Sequence, residues 1–456
     1  MDEEIEAIEE LTDLPKGHQT IRVKWVYKTK LKENGEVDKY KAHLVAKGYK
    51  QEFGVDYKEV FAPVARHDII RLMVSLAAQN SWPIFQLDVE STFLHGELQE
   101  KVFIDQPLGY VKVKDEHKVY RLKKALYRLN QAPRAWYSHI NAYFTKEGFK
   151  KCPYEYTLFT KFGDGRKLLI VCLYVDDLIF IGNDNAMIEK FKRSMMMLDR
   201  FRMANCNLVS MPMEVSLKLV RDPEGRKIAN TLYKKIVGSL MYLTATEPDI
   251  MHAVSIISRY MEFPTEMHLL VAKRFFRYLQ GTSEYGLFYK KSEKSSLVGL
   301  TNSDYAGDLG DRKSTFGYVF MMSSTAISWC SKKQSIVTLS TTEAEFVVAT
   351  VCTCQVIWLR KILEELYFKQ EGATKVYCDN SSAIKLSKNP VLHGRSKYID
   401  VKFHFTRDLT RDGVVELYYC KSEDQIVDIM TKPLKFPAFQ KLRKLLRVCA
   451  INKSLN

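Results

Sequence analysis

The sequence predicts a multidomain protein that combines α/β and α+β architecture. Its 456 residues exceed the usual size of one compact domain and suit two or three. The first half alternates short apolar runs with segments of helical period, and from Ser296 a second series of strands and helices begins. A hydrophobic fraction of 46% and a charged fraction of 27% are typical of globular proteins.

The N-terminal segment is acidic and is followed by a predicted hairpin. Residues 1–13 hold seven carboxylates and no basic residue, which predicts a solvated helix or a frayed end. The apolar-rich residues 23–28 and 42–48 predict two strands. We expect them to pair as a hairpin, because the Asn34-Gly35 pair between them is a favoured turn.

Helices and strands then alternate along the chain, each assigned from the spacing of its apolar residues. In the first half we predict a helix at 68–78, a strand at 84–89 that ends in a carboxylate, a mostly helical segment at 118–143 and a hairpin at 168–181 with Asp176-Asp177 at its tip. In the second half we predict helices over 232–281, strands from 296, a long helix at 341–366, a strand at 375–379 and a terminal amphipathic helix at 436–448. Residues 221–226 (RDPEGR) are the best candidate for a boundary loop.

Composition limits the classes of partner and compartment. A net charge of +15 attracts polyanions, of which phosphate backbones are the commonest, although a merely basic surface is the alternative. The nine cysteines form no CxxC pairs, which fits an intracellular protein with reduced thiols. No uninterrupted apolar run is long enough to span a bilayer, so no membrane partner is expected.

Three aspartates of the first half form the candidate catalytic site. Nucleotidyl transfer uses two divalent metals, and Mg²⁺ prefers carboxylates that project from rigid elements. Asp88 ends an apolar strand, whereas Asp176 and Asp177 lie between the apolar runs VCL and LIFIG. Adjacent aspartates are common in solvated turns, but buried flanking strands do not tolerate uncompensated acids. The pattern favours a metal site, with a solvated turn as the alternative.

Ordered motifs run along nearly the whole chain. Residues 174–177 (YVDD) resemble the signature of reverse transcriptases. The motifs WVYKTKLKENGEVDKYKAHLVAKGYKQEFGVDY, FAPVAR, QLDVESTFLHGELQEKVFIDQPLGY and QAPRAWY resemble copia-type retrotransposon Pol polyproteins, as do RYLQGT, DRKSTFGYVF, STTEAEF and DIMTKPL in the second half. This resemblance implies a right-hand polymerase with fingers and palm, a helical connection and a ribonuclease H-like α/β domain.

The resemblance also implies domain boundaries and partners. The implied domains are an acidic N-terminal segment (1–17), fingers and palm that lack their C-terminal part (18–200), a residual, mainly helical connection (201–295), a ribonuclease H-like domain (296–435) and a basic C-terminal tail (436–456). The implied activity is RNA-directed DNA polymerisation, with Mg²⁺ or Mn²⁺, deoxynucleoside triphosphates, an RNA template and a DNA or tRNA primer. The implied location is a cytoplasmic virus-like particle or the nucleus.

The resemblance carries catalytic roles onto positions of the first half. Asp88 matches the first catalytic aspartate, and Asp176 and Asp177 match the pair. All three are the implied metal ligands, assisted by the backbone carbonyl of Val89. Phe93 matches the bulky residue that blocks a 2′-hydroxyl and so favours deoxynucleotides.

Basic residues of the first half are candidates for phosphate binding. Lys41, Lys47 and Arg134 carry charges that suit phosphate, and a place on a solvated face is an equal alternative for each. His43 stands where the family has arginine, which weakens one expected phosphate contact.

Ribonuclease H cleavage requires four acids from separate elements. By resemblance, Glu343 matches the second, Asp379 the third and Asp428 the fourth. The first position holds Asn302, whose amide keeps the shape of aspartate and loses its charge. Asp304 lies one pleat further along the same strand face, roughly 6–7 Å away, and we do not expect it to substitute.

Other departures from the family argue for a decayed copy. The block that carries the primer grip is absent near residues 197–198, and Arg128 stands where the family has glycine. Glycine there lets the chain approach the template or the incoming nucleotide closely, and an arginine would crowd that approach. Two hypotheses follow: an impaired RNA-directed DNA polymerase with a ribonuclease H module, or a catalytically dead relic that binds nucleic acid.

Overall fold

The computed structural model describes residues 8–31, 37–89, 92–165, 167–188, 191, 212–213, 219, 221–222, 224–282, 284–291, 296–388 and 400–450. The chain divides into two compact units. The first unit comprises Met1–Arg66 and Pro83–Met203, and the second comprises His67–Trp82 and Ala204–Asn456. The division after Met203 differs from the boundary predicted at 221–226, and it places residues 67–82 outside the unit that holds the rest of the predicted fingers and palm.

The first unit contains three sheets. A four-stranded sheet has the order β1-β7-β6-β2, a two-stranded ribbon is formed by β3 and β4, and a five-stranded antiparallel sheet has the order β5-β11-β10-β9-β8. The strands are β1 (Ile8–Thr12), β2 (Thr20–Ile21), β3 (Val23–Leu31), β4 (Val37–Ala46), β5 (Ile84–Asp88), β6 (Glu97–Ile104), β7 (Val119–Lys124), β8 (Lys150–Lys151), β9 (Leu158–Gly163), β10 (Lys167–Tyr174) and β11 (Asp177–Gly182).

The predicted hairpins are confirmed, and two other predictions for the first unit are wrong. Strands β3 and β4 pair antiparallel as expected, with the predicted turn at Asn34-Gly35 outside the described residues. The segment predicted to be a solvated helix or frayed end contributes β1, which pairs with β7. Strand β7 itself begins the segment predicted to be helical. Its backbone pairs with β1 on one side and β6 on the other, and the side chains of Val119, Tyr120 and Leu122 are buried.

A long helix packs on the five-stranded sheet. Helix α2 (Ala132–Lys146) packs Trp136, Ile140 and Phe144 against the buried side chains of β10 and β11. These three residues recur at helical spacing, which gives α2 its apolar face. The hairpin of β10 and β11 is therefore fixed from behind by a continuous core.

The second unit is built on a mixed sheet of order β15-β14-β13-β16-β17. Strands β13, β16 and β17 are parallel, and β14 and β15 are antiparallel to their neighbours. The strands are β12 (Tyr285–Leu287), β13 (Leu297–Ser303), β14 (Thr315–Met322), β15 (Thr325–Lys333), β16 (Thr374–Cys378), β17 (Val415–Tyr419) and β18 (Val448–Ala450). Strand β18, in the predicted tail, pairs with β12.

Helices surround this sheet, and the predicted helical connection and terminal helix are both present. The helices are α1 (His67–Asn80), α3 (Asn230–Leu243), α4 (Met251–Ser258), α5 (Glu266–Gly281), α6 (Thr341–Glu365), α7 (Ser381–Lys388), α8 (Asp400–Arg411), α9 (Asp428–Thr431) and α10 (Phe436–Leu445). Helix α6 is long and apolar enough to cross a membrane by length and composition, but most of it is buried, as in the core helix of a globular unit.

Helix α1 belongs to the second unit, where it has a buried apolar face and one arginine with several polar contacts. The Arg71 guanidinium stacks 3.8 Å from the centre of the Trp329 ring and donates to the carbonyls of Ile327 and Ala245. Trp329 in turn donates to the Thr244 carbonyl at 2.9 Å. A stacked, hydrogen-bonded guanidinium is a strong anchor, and together with the buried apolar face it accounts for the place of this helix in the second unit.

Candidate active sites

Strand pairing brings the backbones of the three predicted aspartates together in the first unit. Strand β11 pairs with β5 so that Asp177 lies directly opposite Asp88. One residue further, the Val89 amide donates to the Asp176 carbonyl at 2.9 Å. The aspartates therefore meet at one end of the five-stranded sheet, although the side chain of Asp88 is outside the described set.

The turn that carries Asp176, residues 175–177, is held in an unusual conformation and is called here the aspartate turn. Val175 has a φ of +57°, which is costly for a β-branched residue. The indole N–H of Trp136 donates to the Val175 carbonyl at 2.7 Å and so fixes the turn from helix α2. This role of Trp136 is not predictable from the sequence, because nothing in QAPRAWY indicates which carbonyl its indole reaches.

The aspartate turn concentrates negative charge. Asp176 as a whole residue is exposed, but its carboxyl is partly desolvated by the surrounding protein. This desolvation, followed by the negative charge of Asp177, raises the pKa of the carboxyl above the ordinary value. Asp177 accepts a hydrogen bond from the Gln86 amide at 3.1 Å. Within the described part of the chain, no lysine or arginine forms an ion pair with either carboxylate. Such an arrangement suits a divalent cation, whose charge would relieve the repulsion.

Val89 contacts the aspartate turn through its amide, and Phe93 follows Val89 by four residues in the chain. The Val89 carbonyl accepts a hydrogen bond from the Thr92 hydroxyl at 2.6 Å, which leaves its second lone pair for another partner. Phe93 is half-buried in a short 3₁₀ helix, Thr92–His95, and meets the ring of Tyr127 edge to face with centroids 5.4 Å apart. Its position is fixed by packing, as a residue that excludes a 2′-hydroxyl requires.

The predicted phosphate-binding residues have different surroundings. Arg134 is mostly buried and forms an ion pair with Glu100 at 2.6 Å, so its charge is already compensated and the prediction of a free phosphate ligand is not supported. Lys47 is half-buried, and its amide donates to the Arg22 carbonyl at 2.8 Å. Lys41 lies on β4 opposite Lys28, with its side chain outside the described set.

Two departures from the family pattern have visible consequences. Arg128 has a φ of +68°, a conformation that glycine adopts freely, while its side chain is exposed. The expected crowding of the template or incoming nucleotide by this side chain stays a prediction, and the cost visible in the fold is backbone strain. The close approach occurs at Gly48, where an added Cβ would lie 1.9 Å from the Arg128 carbonyl oxygen. His43 packs against Tyr127 with ring centroids 4.8 Å apart.

The second unit brings together a different set of acids from the predicted one. Glu345 on α6, Asp379 after β16 and Asp428 on α9 face one another closely enough that the charges of the two aspartates raise the pKa of Glu345. Burial is the larger cause, and the pKa of Glu345 rises to about 8. Cys378 joins them, with its thiol 3.7 Å from Glu345 Oε2.

Glu343 does not face this group, and the prediction that it supplies the second acid is wrong. Its carboxylate accepts a hydrogen bond from the Leu339 amide at 2.7 Å, and its own amide donates to the Ser340 hydroxyl at 3.1 Å. Ser340 and Glu343 thus have the S-x-x-E spacing of a helix start. That spacing is a sequence signal for the place of Glu343 at the helix start, but it does not by itself assign Glu345 to the acidic group, because both glutamates are buried.

Asn302 occupies the place of the first acid and forms a hydrogen bond with Asp428, the residue in the place of the fourth. Its amide donates to Asp428 Oδ1 and, at 3.2 Å, to the Thr431 hydroxyl. Lys432 also pairs with Asp428 at 2.9 Å. Asp304 accepts hydrogen bonds from the Thr315 amide, at 2.7 Å, and that of Gly307, so it fixes a loop and does not replace the lost acid. These residues do not fit a pair of magnesium ions.

The predicted loss of the primer-grip block falls on residues 192–211, which lie outside the described residues.

The sequence of this chain is similar to those of known proteins along most of its length. A family described as "Reverse transcriptase (RNA-dependent DNA polymerase)" matches residues 7–254. The Pol polyprotein of transposon TNT 1-94 from Nicotiana tabacum is 36% identical over 495 residues, an alignment longer than this 456-residue chain.

The alignments with plant Pol polyproteins cover nearly the whole of this chain. The TNT 1-94 alignment covers 98% of this chain and 37% of the tobacco protein. The Pol polyprotein of transposon RE2 from Arabidopsis thaliana is 36% identical, covering 96% of this chain and 33% of its own length. The chain therefore spans about a third of these relatives. The protease-reverse transcriptase of prototype foamy virus is 11% identical with a TM-score of 0.22, over 93% of this chain and 53% of that one, a likeness too weak to support an argument.

Proposed function

This chain belongs to the reverse transcriptase family, and we propose that its first unit is an RNA-directed DNA polymerase of a copia-type retrotransposon. The substrates would be deoxynucleoside triphosphates, an RNA template and a DNA or tRNA primer. A net charge of +15 supports a polyanionic partner. We place this activity inside the cell, in a virus-like particle or in the nucleus.

The observation that carries the proposal is the register of β5 against β11. It sets Asp88 opposite Asp177 and ties Val89 to Asp176, so the family's three aspartates share one sheet end. Pairing between strands fixes such positions more firmly than a loop does, and catalytic groups need positions held to a fraction of an ångström.

The residues present in the first unit fit divalent metal ions. Asp88, Asp176, Asp177 and the Val89 carbonyl would hold Mg²⁺ or Mn²⁺, which would supply positive charge to the attacking and leaving oxygens. Trp136 keeps the aspartate turn in place through the Val175 carbonyl. Phe93 would lie under the sugar of the incoming nucleotide and select against a 2′-hydroxyl.

A second candidate function is a protein that binds nucleic acid without cleaving or copying it. Asn302 and Lys432 favour this alternative for the second unit, because they satisfy Asp428 without a metal. We therefore propose that the ribonuclease H-like unit binds an RNA–DNA hybrid and cleaves it poorly or not at all.

Primer extension on poly(rA)·oligo(dT), first with Mg²⁺ and then with Mn²⁺, tests the polymerase proposal. Asp176→Asn should reduce incorporation at least about 100-fold, since it removes a charge at the reacting centre. Asp184→Asn is the matched control: it makes the same change just after the hairpin, where Asp184 pairs with Lys167 at 2.9 Å. This control should extend primers like the wild type.

The outcome separates the two functions. Incorporation that depends on Asp176 supports a working palm. No incorporation by folded protein that still binds the template, in a salt-dependent manner, would reject the polymerase and leave the binding protein.

A further inference from the structure

We propose that the second unit binds one water molecule, which forms a hydrogen bond with Asp249 Oδ1 and donates another to His252 Nδ1. Both residues line one small cavity, called here the Asp–His cavity, together with apolar side chains such as Ala253, Ile429 and Phe439. The site is independent of the proposed polymerase, because these residues all belong to the second unit.

His252, on helix α4, has one ring nitrogen without a partner. The residue is 5% exposed, and its imidazole donates a hydrogen bond to the Met430 carbonyl of helix α9. In the part of the chain that the structure describes, Nδ1 has no hydrogen-bond partner, so Nε2 makes the contact with Met430. Burial, followed by the charge of Arg259, lowers the pKa of His252 to about 3, so the ring is neutral. A neutral ring that donates through Nε2 has an acceptor at Nδ1.

Asp249 has one carboxyl oxygen without a partner. The residue is 2% exposed and lies in the short 3₁₀ helix Pro248–Ile250, just before α4. Its Oδ2 accepts a hydrogen bond from the Tyr278 hydroxyl, whose oxygen in turn accepts one from the Arg443 guanidinium at 3.1 Å. Among the described residues, Oδ1 has no partner. A buried polar atom without a partner is costly, so Asp249 and His252 both favour an occupant that forms hydrogen bonds.

The size and chemistry of the Asp–His cavity select water. The centre of a water-sized sphere can move through about 20 Å³ of it, whereas a buried water needs about 10–15 Å³ and two to four polar partners. Burial raises the pKa of the Asp249 carboxyl, so this group can hold a proton, and a water can either donate to it or accept from it. Zinc or magnesium requires about four to six ligands, whereas Asp249 and His252 supply two. Lys432 also lines the cavity, but its ammonium pairs with Asp428 at 2.9 Å.

The water completes a chain of hydrogen bonds across the second unit. The chain starts at Arg443 on α10 and passes through Tyr278 on α5 to Asp249. It then crosses the water to His252 on α4 and ends at the Met430 carbonyl on α9. Helices that are distant in sequence are thereby joined by polar contacts as well as by apolar packing.

Nitrogen-15 NMR of the full chain, labelled at histidine, tests the site, because the resonance of a ring nitrogen moves upfield when its lone pair accepts a hydrogen bond. His268 is the internal reference, since its Nδ1 accepts from the Thr265 amide at 3.0 Å. We expect the Nδ1 resonance of His252 to lie near that of His268 and to stay there when chelator is added or ammonium is removed. His252→Gln and His268→Gln assign the two resonances by the loss of each.

A downfield Nδ1 resonance of His252, typical of an open lone pair, would show an empty cavity and overturn the proposal. An upfield shift that chelator or the removal of ammonium abolishes would identify a cation and reject the water. Lys432→Met should leave the resonance in place, and a downfield move would assign the hydrogen bond to that lysine instead. If His252→Gln does not fold, a crystal structure of the full chain decides. Density within hydrogen-bond distance of Asp249 Oδ1 and His252 Nδ1 would support the water, and empty space would reject it.

Discussion

The two acidic sites of the chain differ in what compensates their carboxylates. In the first unit, Asp176 and Asp177 lie at an exposed turn, held by backbone pairing and by the indole of Trp136. In the second unit, Glu345 is buried and Asp428 is bonded to Asn302 and Lys432. The carboxylates of the first site keep their charge available to a cation. In the second site, Asp428 is already compensated by the protein's own side chains.

The difference shows how one substitution changes a whole site. An aspartate at position 302 would repel Asp428, and metals would have to compensate both. The amide instead donates to Asp428, so the group is stable without metal on that side. The remaining acids, Glu345 and Asp379, keep their proximity to Cys378.

The largest expected effect concerns the pH dependence of stability. The pKa of Glu345 in the folded protein is about 8, because of burial and then the neighbouring aspartates, against an ordinary value of 4.5. The folded state therefore holds a proton that the unfolded state has lost. Its contribution is complete below about pH 4.5 and falls by about 1.4 kcal/mol per pH unit until about pH 8.

Glu345→Gln should remove this slope, as measured by urea unfolding in chelator from about pH 5 to about pH 9. Glu364→Gln, at an exposed position of the same helix, should retain the slope of the wild type. Equal slopes in wild type and Glu345→Gln would mean that the pKa of Glu345 is not raised in the folded protein.

A smaller effect is expected from restoring the missing acid. Asn302→Asp should lower the free energy of unfolding by about 1–3 kcal/mol in metal-free buffer, because Asp428 loses a donor and gains a like charge. Added Mg²⁺ should recover the loss. Asn302→Ala removes the donor without adding charge, so it should be destabilised and not recovered by Mg²⁺, and recovery of both variants would contradict the argument.

The indole of Trp136 tests the aspartate turn. Trp136→Phe keeps most of the buried ring and removes the hydrogen bond to Val175. We expect about a tenfold loss of primer extension rate with unchanged template affinity, because the aspartates shift slightly. Trp82→Phe, a like change in the second unit, should leave the rate unaltered. A reduced template affinity without a slower rate in Trp136→Phe would assign this residue to binding.

The smallest effect concerns backbone strain. Arg128→Gly should raise the free energy of unfolding by about 0.5–1 kcal/mol, because glycine adopts the φ of +68° without steric cost. Arg128→Ala retains the strain and should change stability little. Equal gains in the two variants would show that the arginine side chain, and not the backbone, is responsible.

The aspartate turn could be predicted because its signal is local. Two apolar runs around an acidic pair predict a hairpin with acids at its tip, and the structure has β10 and β11 there. The second acid of the second unit could not be chosen in the same way. Glu343 and Glu345 are two residues apart in one motif, and only the direction of each side chain separates a helix start from a cluster.

Helix α1 and strand β7 show the same limit. The periodicity of residues 68–78 predicts a helix, but its place beside β15 depends on contacts such as that of Arg71 with Trp329, which are far apart in sequence. Strand β7 has a sequence that also suits a helix, and its pairing with β1 and β6 decides the conformation.

The sequence by itself determined the family, the order of most elements and the choice of Asp88, Asp176 and Asp177 as candidate catalytic residues, because these follow from motifs and from local apolar spacing. The tertiary structure alone decided that Glu345 replaces Glu343, that Asn302 satisfies Asp428, and that Cys378 faces two acids. These contacts join residues on separate strands and helices. Their formation depends on long-range packing, which no local pattern in the chain encodes.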